Sequence, residues 1–161
     1  MSETPELPSP APGVFAFEAD FAGTLVCIPM SVRMKLDAAG IKLTLKQWNR
    51  LAEPERRELI ARPAGDSRQL AAYRDYLAEL IARTGLPLEY TEVDAAPEWA
   101  DPARMPARIA RWAQDLGVTP PTAAQWAALT PLKRFTLYKL TRPGHSNENF
   151  LPALREFGLS P

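Results

Sequence analysis

The chain has one cysteine, one histidine and no long apolar run, and its charges cancel. Each shortage excludes something. Cys27 alone closes no disulfide within the chain, which fits a reducing compartment and predicts a cytoplasmic location. One Cys and one His cannot complete a closed zinc site or hold an iron–sulfur cluster within one chain, so no metal and no cofactor is expected. The longest unbroken apolar run, Leu25 to Met30, is far short of the roughly 20 residues of a membrane span. Nineteen Lys and Arg against nineteen Asp and Glu argue against broad attraction to nucleic acid or an anionic membrane. P-loop, G-x-G-x-x-G and G-x-S-x-G patterns are missing, and no catalytic set of residues is recognisable. The opening MSETPELPSPAPG is acidic and proline-rich, unlike the basic-then-apolar pattern of a secretory signal.

What remains describes a globular, all-α (mainly α) protein. The 161 residues, 46% hydrophobic and 24% charged, have room for one ordinary core. Seventeen prolines are compatible with helices if these are short and proline sits in their first turns. Residues 1–13 hold four prolines and read as a disordered tail, which leaves 14–161 as a single helical domain. Within it, Pro29 opens a helix that Gly40 stops, and Thr44 with Gln47 makes a capping box ahead of Trp48. Pro54 starts a short helix that ends at Arg62-Pro63. Asp66 or Ser67 caps the longest one, over residues 67–84, with Gly85 as its stop. Residues 86–104 break the series: Leu88, Tyr90 and Val93 predict a short strand pairing with Phe15–Phe17, followed by a loop pinned by Trp99. Helices resume at Pro106, with Ile109, Trp112 and Leu116 on one face, at Thr122, at Pro131 and near Asn149.

These elements suggest an internal duplication of about 29–63 and 106–143. Pro29, Val32, Gly40 and Ile41 match Pro106, Ile109, Gly117 and Val118 at an offset of 77 residues. Thr44, Gln47, Trp48, Leu51, Arg56 and Leu59 match Thr122, Gln125, Trp126, Leu129, Arg134 and Leu137 at an offset of 78. Such a repeat reads as one supersecondary unit used twice, with Trp48 and Trp126 in equivalent core slots.

Four features could carry function. Lys46, Gln47, Asn49 and Arg50 could read DNA from a helix-turn-helix, but the matching Ala123-Ala-Gln-Trp-Ala-Ala looks like a packing element, so no nucleic-acid partner is expected. Cys27 precedes a helix start, where a thiolate is favoured, yet its apolar neighbours suit inert core packing. The segment Arg142-Pro-Gly-His-Ser-Asn-Glu-Asn149 is the densest polar constellation. His145, Asn147, Glu148 and Asn149 could bind a small ligand or do acid–base work, or the segment could be a structural turn in which Ser146, Asn147 or Asn149 caps the next helix. Finally, acidic residues at 89–101 are complementary in charge to a basic segment at 131–161, and the two could pair within the fold or meet a partner. The acidic connector and the Gly144–Asn149 turn are what the halves do not share.

In combination, Phe15-Ala-Phe-Glu-Ala-Asp-Phe21, Cys27-Ile-Pro-Met-Ser-Val-Arg33, Gln47-Trp48 and Arg142-Pro-Gly-His…Asn149-Phe-Leu-Pro-Ala-Leu-Arg-Glu-Phe157 give a distinctive pattern. It resembles the conserved nitrate-reductase-associated proteins, a family of small bacterial proteins prominent in cyanobacteria, over about residues 14–159. The resemblance implies an accessory or maturation factor, partnered with assimilatory nitrate reductase or its molybdenum-cofactor assembly machinery through protein–protein contact. It carries over no catalytic residue; Cys27, Arg33, Arg142, His145 and Asn149 become candidates for contact or structure. The alternative is a small-molecule-binding protein or enzyme centred on the Gly144–Asn149 turn, acting on a molybdenum-cofactor precursor. That reading predicts a concave pocket where His145, Asn149 and an Arg converge.

Overall fold

Gly and Pro together make up about one residue in six, and most of the helices are correspondingly short. The computed structural model describes residues 13–18, 27–144 and 147–159. Among these, eight α-helices follow in order: α1 (Met30–Ala39), α2 (Leu45–Arg50), α3 (Glu53–Ala61), α4 (Ser67–Thr84), α5 (Ala107–Asp115), α6 (Ala123–Ala128), α7 (Pro131–Lys139) and α8 (Phe150–Glu156). The protein is mainly α. One two-stranded antiparallel ribbon joins β1 (Ile41–Lys42) to β2 (Glu89–Tyr90).

The ends of the helices follow from local chemistry. Thr44 Oγ1 accepts the amide of Gln47 while Gln47 Oε1 accepts that of Thr44, at 3.1 and 2.9 Å, and Thr122 with Gln125 repeats both distances. Asp66 caps α4 through the Gln69 amide, and Thr130 caps α7 through that of Lys133. Pro152 falls in the first turn of α8, where its missing N–H costs no helical bond.

The ribbon forms with a different partner from the one expected. Gly40 turns left-handed (φ 68°) at the end of α1, sends the chain directly into β1, and accepts the Thr91 amide at 2.9 Å. A Cβ on Gly40 would lie 2.8 Å from the Val93 side chain, so the connector closes onto this turn because no side chain is there. Phe15 instead precedes a 3-10 turn (Ala16–Glu18) that contains Phe17, and the two rings stack at 5.5 Å, with Phe157 edge-on to both.

The expectation of one core is also revised, because the buried side chains form two clusters. Val32, Leu36, Trp48, Leu59, Tyr73, Leu77 and Ile81 belong to the first; Ile109, Trp126, Leu137, Phe150 and Leu154 belong to the second. Short helices that turn back on themselves bring their apolar stripes together locally. Helix α1 packs on both α4 and α7 and so bridges the clusters. Leu116 is not a core residue: it caps α5, stays 46% exposed, and leaves the buried position to Ala113.

Candidate functional site

Two concavities flank α1, one at its start and one along its exposed side. At the start, Glu18 is buried and accepts the amides of Phe15 and Met30 at 3.2 and 2.9 Å. This fastens the 3-10 turn to the first turn of α1, where a carboxylate is favoured. Desolvation by burial raises the Glu18 carboxyl above its ordinary range, against the pull of those two N–H bonds. Beside it lies a cavity of about 200 Å³ edged by Phe17, Glu18, Cys27, Met30, Arg33 and Asn149.

Three of the residues singled out in the sequence, Cys27, Arg33 and Asn149, therefore meet at one place. Arg33 donates from Nε to the Ile28 carbonyl at 3.2 Å. Its guanidinium is pushed below the usual range by desolvation and then by the like charge of Arg142. Nε of Arg142 is buried, with no hydrogen-bond partner among the described residues. Cys27 is a free, half-buried thiol in neither hydrophobic cluster, so the expected core packing belongs to Ile28 instead.

The turn before α8 is built differently from the expected caps. Asn147 holds a left-handed conformation (φ 52°), and its Nδ2 donates to the Arg142 carbonyl at 3.0 Å, which ties the approach to α8 back to Arg142. Asn149 occupies the cap position of α8 without a side-chain cap bond, and Glu148 is exposed. His145 and Ser146 lie outside the described residues. The described residues contain no group of three or more His, Cys, Asp or Glu able to hold a metal ion.

The larger concavity is a groove of about 660 Å³ between α1, the 86–104 connector and α7. Met34, Ala38, Pro97, Trp99, Pro131 and Tyr138 supply its apolar surface. Trp99 is held edge-on against the buried Phe135, ring centres 5.3 Å apart, as the expectation of a pinned loop requires. The Arg108 guanidinium covers one face of Tyr138 at 3.4 Å and binds its carbonyl and Thr141.

Both lysines in the groove are engaged. Lys139 bridges α7 to α1 through Asp37 at 2.9 Å. Lys35 turns away to the carbonyls of Leu59 and Ile60, the latter at 2.7 Å, and burial lowers its pKa. Among the described residues the acidic connector makes no ion pair with the basic 131–161 segment; the Tyr138 hydroxyl donates to Glu98 at 3.4 Å. Glu89 binds Lys42 at 3.6 Å, while Glu92, Asp94 and Glu98 make no ion pair among the described residues. Sequence reasoning marked this connector by its charge but missed the groove, because Met34, Pro131 and Tyr138 come from distant helices.

On α2, Lys46, Asn49 and Arg50 are exposed, which a DNA-reading helix needs. Gln47, however, is buried and donates to the Pro87 carbonyl at 2.8 Å, and Arg50 donates to the Thr84 carbonyl at 2.9 Å. No helix among the described residues is long and apolar enough to cross a membrane.

The architecture defines a class: a small, mainly helical protein with two tryptophan-centred clusters and an open acidic groove between them. More particularly, the chain belongs to the family of conserved nitrate reductase-associated proteins, whose model matches residues 14–157. No curated protein and no solved structure matches the chain.

Proposed function

We propose that this protein is a cytoplasmic accessory or maturation factor of assimilatory nitrate reductase and acts by protein–protein contact. The observation that carries this reading is membership, across residues 14–157, in a family named for its association with nitrate reductase. The outward-facing carboxylates of the connector support contact with a partner as the mode of action. The reading treats residues 14–161 as one domain, residues 1–13 as a tail, and the matching halves as one helical unit used twice. Deleting the gene should impair growth on nitrate, which the full chain restores, and spare growth on ammonium. Equal growth of the deletion strain on both nitrogen sources overturns it.

One observation favours a second reading, a small-molecule site beside the Gly144–Asn149 turn. Arg33 and Asn149 converge on the smaller cavity, and two neighbouring guanidiniums suit an anionic ligand such as a phosphorylated molybdenum-cofactor precursor. Calorimetry with purified precursor tests it. Binding that is lost in Asn149→Ala supports a ligand site, and no heat at any concentration removes it.

A further inference from the structure

Of the charged groups lining the groove, three carboxylates make no ion pair among the described residues, although Asp94 accepts the Ala96 amide at 3.0 Å and Glu98 accepts from the Tyr138 hydroxyl at 3.4 Å. Lys139 and Asp37 neutralise each other, and Lys35 is spent on backbone carbonyls. Glu92, Asp94 and Glu98 are exposed, without an ion-pair partner among the described residues, above an apolar floor that includes Trp99 and Tyr138. Tyr90 and Val93 on the same connector are also exposed but do not line the groove, and Tyr90 edges a separate hollow against α4. An apolar anchor pocket and a charged rim are parts of a polypeptide-binding face.

From this we infer that the groove docks a basic segment of a partner protein, seating an apolar or aromatic side chain on Trp99 and Tyr138 while Lys or Arg residues meet Glu92, Asp94 and Glu98. Charge complementarity selects the occupant. The chain's own residues 1–12 carry Glu3 and Glu6 and no Lys or Arg, so they have the wrong sign. The inference deepens the accessory-factor reading and rests on it only for the partner's identity.

Two variants and one probe test it. The probe is a labelled peptide of alternating Lys and Leu with a central Trp, titrated into the full chain and followed by anisotropy and amide chemical shifts; its counterpart carries Glu for Lys. The Lys peptide should bind, shift groove residues, and weaken as salt rises from roughly 0.02 M to 0.3 M. Glu92→Lys with Glu98→Lys, both at exposed positions, should weaken it about tenfold or more. Asp115→Lys, an exposed change outside the groove, should leave it unchanged. No binding, equal binding of the Glu peptide, or equal loss in Asp115→Lys overturns the proposal. Capture of nitrate reductase separates the two readings. Equal capture by wild type and the Glu92/Glu98 variant overturns the groove and leaves the accessory role standing. Peptide seated in the groove with no nitrate reductase captured by either protein supports the groove and removes the accessory role.

Discussion

The segments Thr44–Leu51 and Thr122–Leu129 have the same cap, the same six-residue helix and the same fully buried tryptophan, yet they are roofed by different things. Trp48 packs in a cluster with Leu77, Leu80 and Ile81 of the eighteen-residue α4. Among the described residues after Pro106 no helix has that length. Trp126 packs with Phe150, Leu154 and Phe157 around the short α8, and its Nε1 donates to the Asp101 carbonyl of the connector at 3.0 Å. The cap residues behave accordingly. Gln47 is buried and reaches Pro87, while Gln125 is exposed and only closes its own cap. Local chemistry repeats with the motif. What is buried, and what is tied to it, is decided by the element that arrives from elsewhere in the chain.

The largest test of this contrast lies in the two indoles. Trp48→Ala and Trp126→Ala should each cost about 3–5 kcal/mol in urea unfolding, because both empty a fully enclosed site. They should part company in a gentler exchange. Trp126→Phe keeps most of the ring but removes the donor to Asp101, so it should cost about 1–2 kcal/mol and speed amide exchange through 97–104. Exchange unchanged across that stretch would break the claim that Trp126 pins the connector.

The same division explains what could be read from the sequence. Caps and stops were legible because they need only a few consecutive residues: Thr44 with Gln47, Asp66 ahead of Gln69, Gly40 and Gly85 in left-handed turns. Helix α4 was readable to its ends for the same reason. Strand pairing was not, since choosing between Phe15–Phe17 and Ile41–Lys42 as the partner of Tyr90 depends on how Gly40 lets the connector approach. Burial at helix ends was equally hidden: a helical period assigns Leu116 and Ile109 the same face, but α5 stops before Leu116 turns inward. At the site, residue types drew attention to Cys27, Arg33 and Asn149 separately. Only the path of α1 and α8 shows that they share one cavity, and Glu18 gave no signal because it caps a helix from twelve residues upstream.

Smaller substitutions sharpen the comparison. Gln47→Ala removes a buried side chain that serves both Thr44 and Pro87 and leaves the Pro87 carbonyl without that donor; about 2 kcal/mol is expected. Gln125→Ala should cost about 0.5 kcal/mol, since water replaces its one bond. Equal losses would mean that burial of the cap does not matter. Thr44→Ala and Thr122→Ala form the control: their cap bonds are the same length, so each should cost about 1 kcal/mol.

The smallest effect concerns α1 and α5, both preceded by a proline that offers no side-chain cap. At α1 the deficiency is met from a distance, because Met30 donates to Glu18; α5 is capped by Pro106 without any such bond. Burial raises the folded-state pKa of Glu18 above its ordinary 4.5, so the folded chain holds this proton more tightly than the unfolded chain does. Its linked contribution is therefore fully present below about pH 4.5 and is lost as pH rises through the folded-state value. The difference in urea midpoint between wild type and Glu18→Gln, which cancels the other carboxylates, should shift in favour of wild type on acidification. A shift in the opposite direction would mean that the two backbone N–H bonds outweigh burial, and that Glu18 stabilises the start of α1 chiefly as an anion.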